Sequence, residues 1–237
     1  MLRSLFFCLF SFTIIALTQA QMMGFDEIDP AKISPWKASD ITDFQGIYHF
    51  GESELESNLV LVVERDLISA QIRSGHFQEI NGQTVFLMEY KNLTHVKITG
   101  NQFYSDEYQG SFVVFEPNDE PLWALKINNP WSDIPQPGQY ELGPKLEIFV
   151  EYFPGKFPFA STRLLKDSEM GQYSKADLGI MRNEIFARYG YIFQSGGKME
   201  AYFKQQDWYF SASKDVNDAL TEIEKQNIQM IRKWEGK

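Results

Sequence analysis

Between residues 44 and 127, β-branched and aromatic segments recur every eight to twelve positions with turn chemistry between them, the pattern of an antiparallel β domain. The candidate strands are 44–50, 59–63, 67–73, 84–90, 96–98, 102–104, 110–115 and 122–127. Asn81-Gly82 and Gly100-Asn101 supply residues that tolerate positive φ and mark two hairpins. Ile68 to Arg73 and His95 to Thr99 alternate apolar with polar, which predicts one buried and one wet face for those strands. Leu59 to Val63 is apolar throughout, which predicts cover on both faces. A meander of about eight strands must curl into a barrel or fold into a sandwich.

After residue 160 the period changes from two to that of helices. Ser174-x-x-Asp177 opens a helix that runs to Tyr189, where Gly190 stands ready as a left-handed cap. Met199, Tyr202 and Phe203 mark a short second helix, followed by the aromatic cluster Trp208-Tyr209-Phe210. Thr221-x-x-Glu224 opens a third helix that runs to about Trp234. Placing residues at helical intervals sets Arg182 in the middle of the apolar face of the first helix, and Glu224 and Asn227 inside the apolar arc of the last. A buried cation needs a partner, so the pattern predicts an Arg182–Glu224 ion pair between helices, with Asn227 as a satisfied core amide. The fold class is α+β: an antiparallel β meander followed by a small three-helix domain.

The remaining apolar run, Leu5 to Leu17, follows a basic start at Arg3 and ends in Thr18-Gln19-Ala20, as in a secretory signal removed after Ala20. It is short for a membrane span. Cleavage removes Cys8, the only cysteine, and leaves 21 basic against 32 acidic residues, net −11. Those figures exclude a disulfide framework, a thiol nucleophile, a Cys-ligated metal, and electrostatic capture of nucleic acid or anionic lipid. An exported, cysteine-free chain fits a bacterial envelope, in the periplasm, at the cell surface or outside the cell, with no membrane insertion after cleavage. Six of the ten prolines (Pro130, Pro135, Pro137, Pro144, Pro154, Pro158) fall between residues 128 and 160. Charge divides there too: residues 21–160 are net −12 and residues 161–237 are net +1. The expected organisation is a signal peptide over 1–20, a β domain over 38–128, a Pro-rich linker or docking strip over 129–160 and a helical domain over 161–237.

Chemistry is sparse. The three histidines (His49, His76, His95) lack metal-ligand spacing, and no motif for a metal, nucleotide or other cofactor is present. Without a histidine, the C-terminal domain cannot build a Ser-His-Asp triad. The acidic row Glu52-Ser53-Glu54-Leu55-Glu56 reads as a solvated face and lacks a calcium loop. Gly46-Ile47-Tyr48 resembles the opening of lipocalin-like barrels, which implies a carrier of one small apolar ligand.

Arg182-Asn183-Glu184-Ile185-Phe186-Ala187-Arg188-Tyr189-Gly190-Tyr191-Ile192-Phe193 resembles the signature of the YARHG domain, an extracellular bacterial module. The resemblance continues through Tyr202-Phe203, Trp208-Tyr209, Leu220, Glu224, Asn227, Ile228 and Ile231, and covers residues 161–236. The name-giving Tyr-Ala-Arg-His-Gly is here Phe186-Ala187-Arg188-Tyr189-Gly190, so acid–base chemistry at either altered position does not carry over. Glu184 and Arg188 are spaced as a surface ion pair. The functional alternative sets Arg188, beside exposed aromatics such as Tyr191 and Trp208, against a carboxylate or sugar of cell-wall material. The preferred reading is a non-catalytic exported module that binds protein, glycan or wall fragments. Its rivals are a hydrolase of peptide or glycan polymers that uses paired carboxylates, and the small-ligand carrier.

Overall fold

The computed structural model describes residues 22–23, 26–51, 56–80, 82–118, 120–131, 139–147, 149–150 and 152–236. The expected signal segment with Cys8, Glu52 and Glu54 of the acidic row, Asn81, Pro135 and Pro137 lie outside the described residues.

The strands are β1 (Met22–Met23), β2 (Asp26–Glu27), β3 (Ile33–Pro35), β4 (Gly46–Phe50), β5 (Ser57–Glu64), β6 (Leu67–Ile80), β7 (Gln83–Asn92), β8 (Lys97–Thr99), β9 (Gln102–Tyr104), β10 (Gln109–Phe115), β11 (Leu122–Asn128) and β12 (Tyr140–Leu146). The main path runs β7-β6-β5-β4-β12-β11-β10-β9-β8, with β3 paired to β10 and β1 paired to β12. Residues from β4, β5, β6, β9, β10 and β11 share one core, so the sheet curls until its two ends face each other. It does not close: β7 and β8 end the path and are not paired with each other. The expected α+β class, an antiparallel β meander followed by helices, is present, and the meander curls as a sheet that stays open rather than closing into a barrel. Ten-residue β7 would have to zip against three-residue β8, and the chain instead turns away after Asn92. Inside the curl, Phe44 stacks on Phe112 at 4.1 Å, and Tyr48, Phe50 and Phe103 are fully buried beside them. Among the described residues the inner face is thus filled by a packed aromatic core.

All eight candidate strands are present, and β12 is an addition from within the expected linker. It pairs with β11 over Tyr140 to Pro144 and with β4 at Lys145 and Leu146, so Pro144 sits where the strand changes partners. Gly143 is required beside it, because a Cβ there would overlap the Phe50 ring. Strand β5 is covered on both faces as expected: Leu59, Leu61 and Val63 enter the sheet's core, while Val60 and Val62 pack with Phe153 and Ile223. Strand β6 departs from its pattern. Gln71 and Arg73, expected on a wet face, are buried because the helical module covers that face.

The helical module contains α1 (Phe159–Thr162), α2 (Asp167–Met170), α3 (Lys175–Arg188), α4 (Lys198–Phe203) and α5 (Glu222–Glu235). Ser174 caps α3 by accepting from Asp177 N–H, and Gly190, at φ +72°, ends it. Thr221 and Glu224 form a complete capping box on α5. Leu178, Met181, Ile185 and Tyr189 of α3 pack with Ile228 and Ile231 of α5 around one core.

Candidate functional site

The motif helix is held from outside by the stretch that the sequence marked as Pro-rich. Glu184 accepts Lys156 N–H at 2.7 Å and Phe157 N–H at 2.8 Å. Arg188 donates to Pro154 O at 2.8 Å, Ser161 Oγ at 2.9 Å, Phe157 O at 3.1 Å and Glu184 at 3.3 Å. Gly155 makes this strap possible: its φ is +119°, and a Cβ would lie 2.7 Å from the Glu184 carboxyl carbon. The side chains of Arg188 and Glu184 are 2 % and 1 % exposed. Burial pushes the Glu184 carboxyl up, against the two N–H groups and Arg188, which pull it down; burial likewise pulls the Arg188 guanidinium down. The pair's net contribution to stability is therefore small, and its effect is to fix how the strap sits on α3.

A neighbouring pair titrates with the opposite sign. Arg163 forks onto Glu169 at 2.7 and 3.0 Å and, as the largest influence, holds its carboxyl below the usual range. The stabilisation is present above the unfolded pKa and is lost as pH falls through the folded one. Glu169→Gln should cost about 0.5 kcal/mol at neutral pH, because both partners are partly exposed, and the difference from wild type should shrink below about pH 4. Urea denaturation at both pH values checks this.

A second polar cluster lies between the modules. Tyr189 donates to Glu224 Oε2 at 2.8 Å and is 3.2 Å from Gln71 Oε1. Gln71 accepts from Arg73 Nε at 2.8 Å and donates to Ala219 O at 2.6 Å. The Arg73 guanidinium sits 5.1 to 5.9 Å from the rings of Tyr152, Phe153, Tyr189 and Tyr90. Burial, the largest influence, pulls its pKa down, but Tyr189, Tyr152, Glu224 and Tyr90 together more than offset it, so the net shift is upward. Desolvation raises the Tyr189 hydroxyl well above its ordinary value, so it remains a donor throughout the physiological range. Tyr189 stands at the family's histidine position, and here it is a structural contact to the β module. Asn92 extends the seam by donating to the carbonyls of Asp218, Ala219 and Leu220 at 3.1 to 3.3 Å.

The predicted Arg182–Glu224 pair is not formed. Arg182 bonds Glu235 at 2.8 and 3.2 Å, while Glu224 is occupied by Tyr189 and by Thr221 N–H. Helix register is the reason: α3 and α5 run antiparallel with Tyr189 opposite Glu224, and Arg182, seven residues back, lies about 10 Å along the axis. Asn227 is fully buried, accepts Leu165 N–H at 2.8 Å and donates to Ala160 O and Arg163 O. The expected ligand trio of Arg188, Tyr191 and Trp208 does not meet at one exposed surface. Arg188 is sealed under the strap, so neither the surface pair nor the wall-binding cation is correct. Tyr191 and Trp208 are half-buried in a separate aromatic cluster with Phe193 and Phe203.

The exposed surface that the two modules build together is elsewhere. Val85, Phe86, Met88 and Tyr90 of β7 face the 210–219 loop across an open cleft of about 710 Å³. Phe77 is 58 % exposed, Phe86 49 %, Phe210 45 % and Met88 38 %. Two carboxylates, Asp215 and Asp218, line the cleft, and among the described residues no Lys, Arg or His does. Asp215 is braced by Asn217, whose N–H and side-chain amide donate to Oδ1 at 3.0 and 2.7 Å. Sequence reasoning missed this site because its apolar residues read as ordinary strand positions; the one available signal was Val85-Phe86-Leu87-Met88, an apolar run that breaks alternation.

Residues 156–236, the C-terminal third of the chain, match the family model of the YARHG domain. Its start at Lys156 takes in both N–H groups that Glu184 accepts and lies five residues before the expected boundary. The N-terminal region has no family assignment. No curated protein and no solved structure matches the chain.

Proposed function

We propose that this is an exported, non-catalytic binding protein that holds a polypeptide segment in the cleft between its β module and its YARHG domain. The observation that carries the reading is the composition of that cleft: exposed aromatic and aliphatic side chains from both modules, with carboxylates as the only charges among its described residues. Contiguous exposed apolar surface is uncommon on a monomer and marks interaction sites. A rigid seam of Gln71, Arg73, Asn92 and Tyr189 beneath the cleft fixes its two walls relative to each other. The two carboxylates favour a segment that carries lysine or arginine over an anionic glycan.

Selection of a random phage-displayed peptide library on the purified chain tests this. Peptides that bind wild type and fail on Phe86→Ser/Phe210→Ser support it; a library that yields none contradicts it. Binding to purified wall glycan that survives the double substitution would favour the glycan reading instead. The export component rests on the apolar Leu5–Leu17 run and on the family, and no helix among the described residues is long and apolar enough to cross a membrane. The chain recovered from the envelope fraction should have the mass of residues 21–237; the mass of all 237 residues would contradict cleavage after Ala20.

A further inference from the structure

Strand β7 ends the sheet, and among the described residues no strand pairs with its outer edge. Edges of this length are normally blunted by proline or by several lysines. β7 has no proline, and its one lysine, Lys91, lies at the far end. Which backbone groups face outward follows from one bond: Leu93 N–H donates to Ala70 O at 2.9 Å, in register with Gln71 opposite Asn92. Bonded and non-bonded pairs alternate along an antiparallel ladder. Val85, Leu87 and Glu89 therefore turn their N–H and C=O groups toward β6, while Thr84, Phe86, Met88 and Tyr90 turn theirs away. Because side chains alternate with the same period, Phe86, Met88 and Tyr90 also share one face, the face on which Tyr90 meets Tyr189.

We propose that the cleft takes its peptide as an added β-strand along β7. The backbone of the peptide would pair with residues 84–90, its alternate apolar side chains would lie on Phe86, Met88 and Phe210, and a lysine or arginine would reach Asp215 or Asp218. This rests on the cleft reading above and adds the mode of binding and the chemistry of the partner. Main-chain pairing supplies affinity in such an arrangement, and the pockets for alternate side chains supply selectivity. Charge distinguishes this occupant from a second copy of the chain. Residues 21–160, which carry β7, are net −12, so a second copy of the β module would bring like charge toward Asp215 and Asp218 although β7 itself is neutral.

The test is amide hydrogen exchange on the full chain with a capped seven-residue probe that has valine at its second and fourth positions, lysine at its sixth and threonine elsewhere. At saturation, exchange at the Phe86, Met88 and Tyr90 amides should slow by roughly tenfold or more, and exchange at Val85, Leu87 and Glu89, already bonded to β6, should not change. Methylating one alternate set of the probe's amide nitrogens should abolish binding, and methylating the other set should not. Binding that tolerates both sets, or that leaves the β7 amides unchanged, overturns strand addition but leaves a cleft that holds peptides by side chains alone. No detectable binding of the probe overturns strand addition, and the library selection then decides the cleft by itself. Protection of the same amides that grows with protein concentration without probe overturns the proposal in favour of self-pairing.

Discussion

Arg188→Ala should destabilise the protein by about 4 kcal/mol, because it removes one partner of a buried ion pair and leaves the other charge uncompensated. The guanidinium spends all of its reach indoors, on Pro154 O, Phe157 O, Ser161 Oγ and Glu184. Its loss takes the side-chain donor from Pro154 O, leaves Phe157 O with Ala160 N–H alone, and leaves Glu184 as a buried carboxylate whose pKa burial already raises. Arg188→Lys should recover little, because a single ammonium cannot serve a forked set of four acceptors. Chemical denaturation of the two variants checks both statements, and a loss under about 1 kcal/mol for Arg188→Ala would show that the strap does not depend on this residue. The most family-like residue of the chain is thus a poor probe of binding, since its removal is expected to destabilise the domain it belongs to.

Arg73→Met should cost about 3 kcal/mol, with the damage centred on the seam between the modules. Methionine approximates the apolar stem, so the loss isolates the charged head. That head gives Gln71 its bond and stands among the rings of Tyr90, Tyr152, Phe153 and Tyr189, close enough to Glu224 for the carboxylate to help hold its charge. With the head gone, Glu224 is a fully buried carboxylate that keeps Tyr189 and Thr221 as donors and loses one of the two guanidinium charges that act on it, leaving Arg188. For a chain of this size the expected fall in Tm is roughly 6–12 °C by calorimetry. A fall of less than about 2 °C would mean that the modules are joined by their apolar contacts alone.

Local rules made much of this protein legible. Turn residues and two-residue periodicity located eight strands, and capping boxes located α3 and α5, because those signals act within a few residues of one another. Where reading failed, the deciding partner was distant in sequence. Gln71 and Arg73 look like the wet face of a strand, and only the arrival of Tyr189 and Ala219, more than a hundred residues on, buries them. Glu184 and Arg188 look like a solvated flank of α3 until residues 154–161 are laid across them. Strand β12 was hidden because Pro144 counted toward the Pro-rich linker, whereas Gly143 makes room for Phe50 and Pro144 marks the exchange of strand partners. The Arg182 pairing needed the helix register, which single-helix periodicity does not contain. The cleft is the clearest case, since it exists only where β7 and the 210–219 loop are brought together.

The same geometry explains how a conserved-looking motif can leave function to its surroundings. Core aromatics, the strap and the Tyr189 contact spend the motif on architecture, and the architecture presents Phe210, Asp215 and Asp218 opposite a strand edge that no strand among the described residues pairs. The central claim is that this cleft is the binding site. The most direct measurement is an equilibrium titration of the best peptide from the library selection against wild type and against Phe86→Ser/Phe210→Ser, with matched circular dichroism spectra for the two proteins. Affinity should fall by roughly tenfold or more in the double variant. Equal affinity for both proteins would contradict the claim.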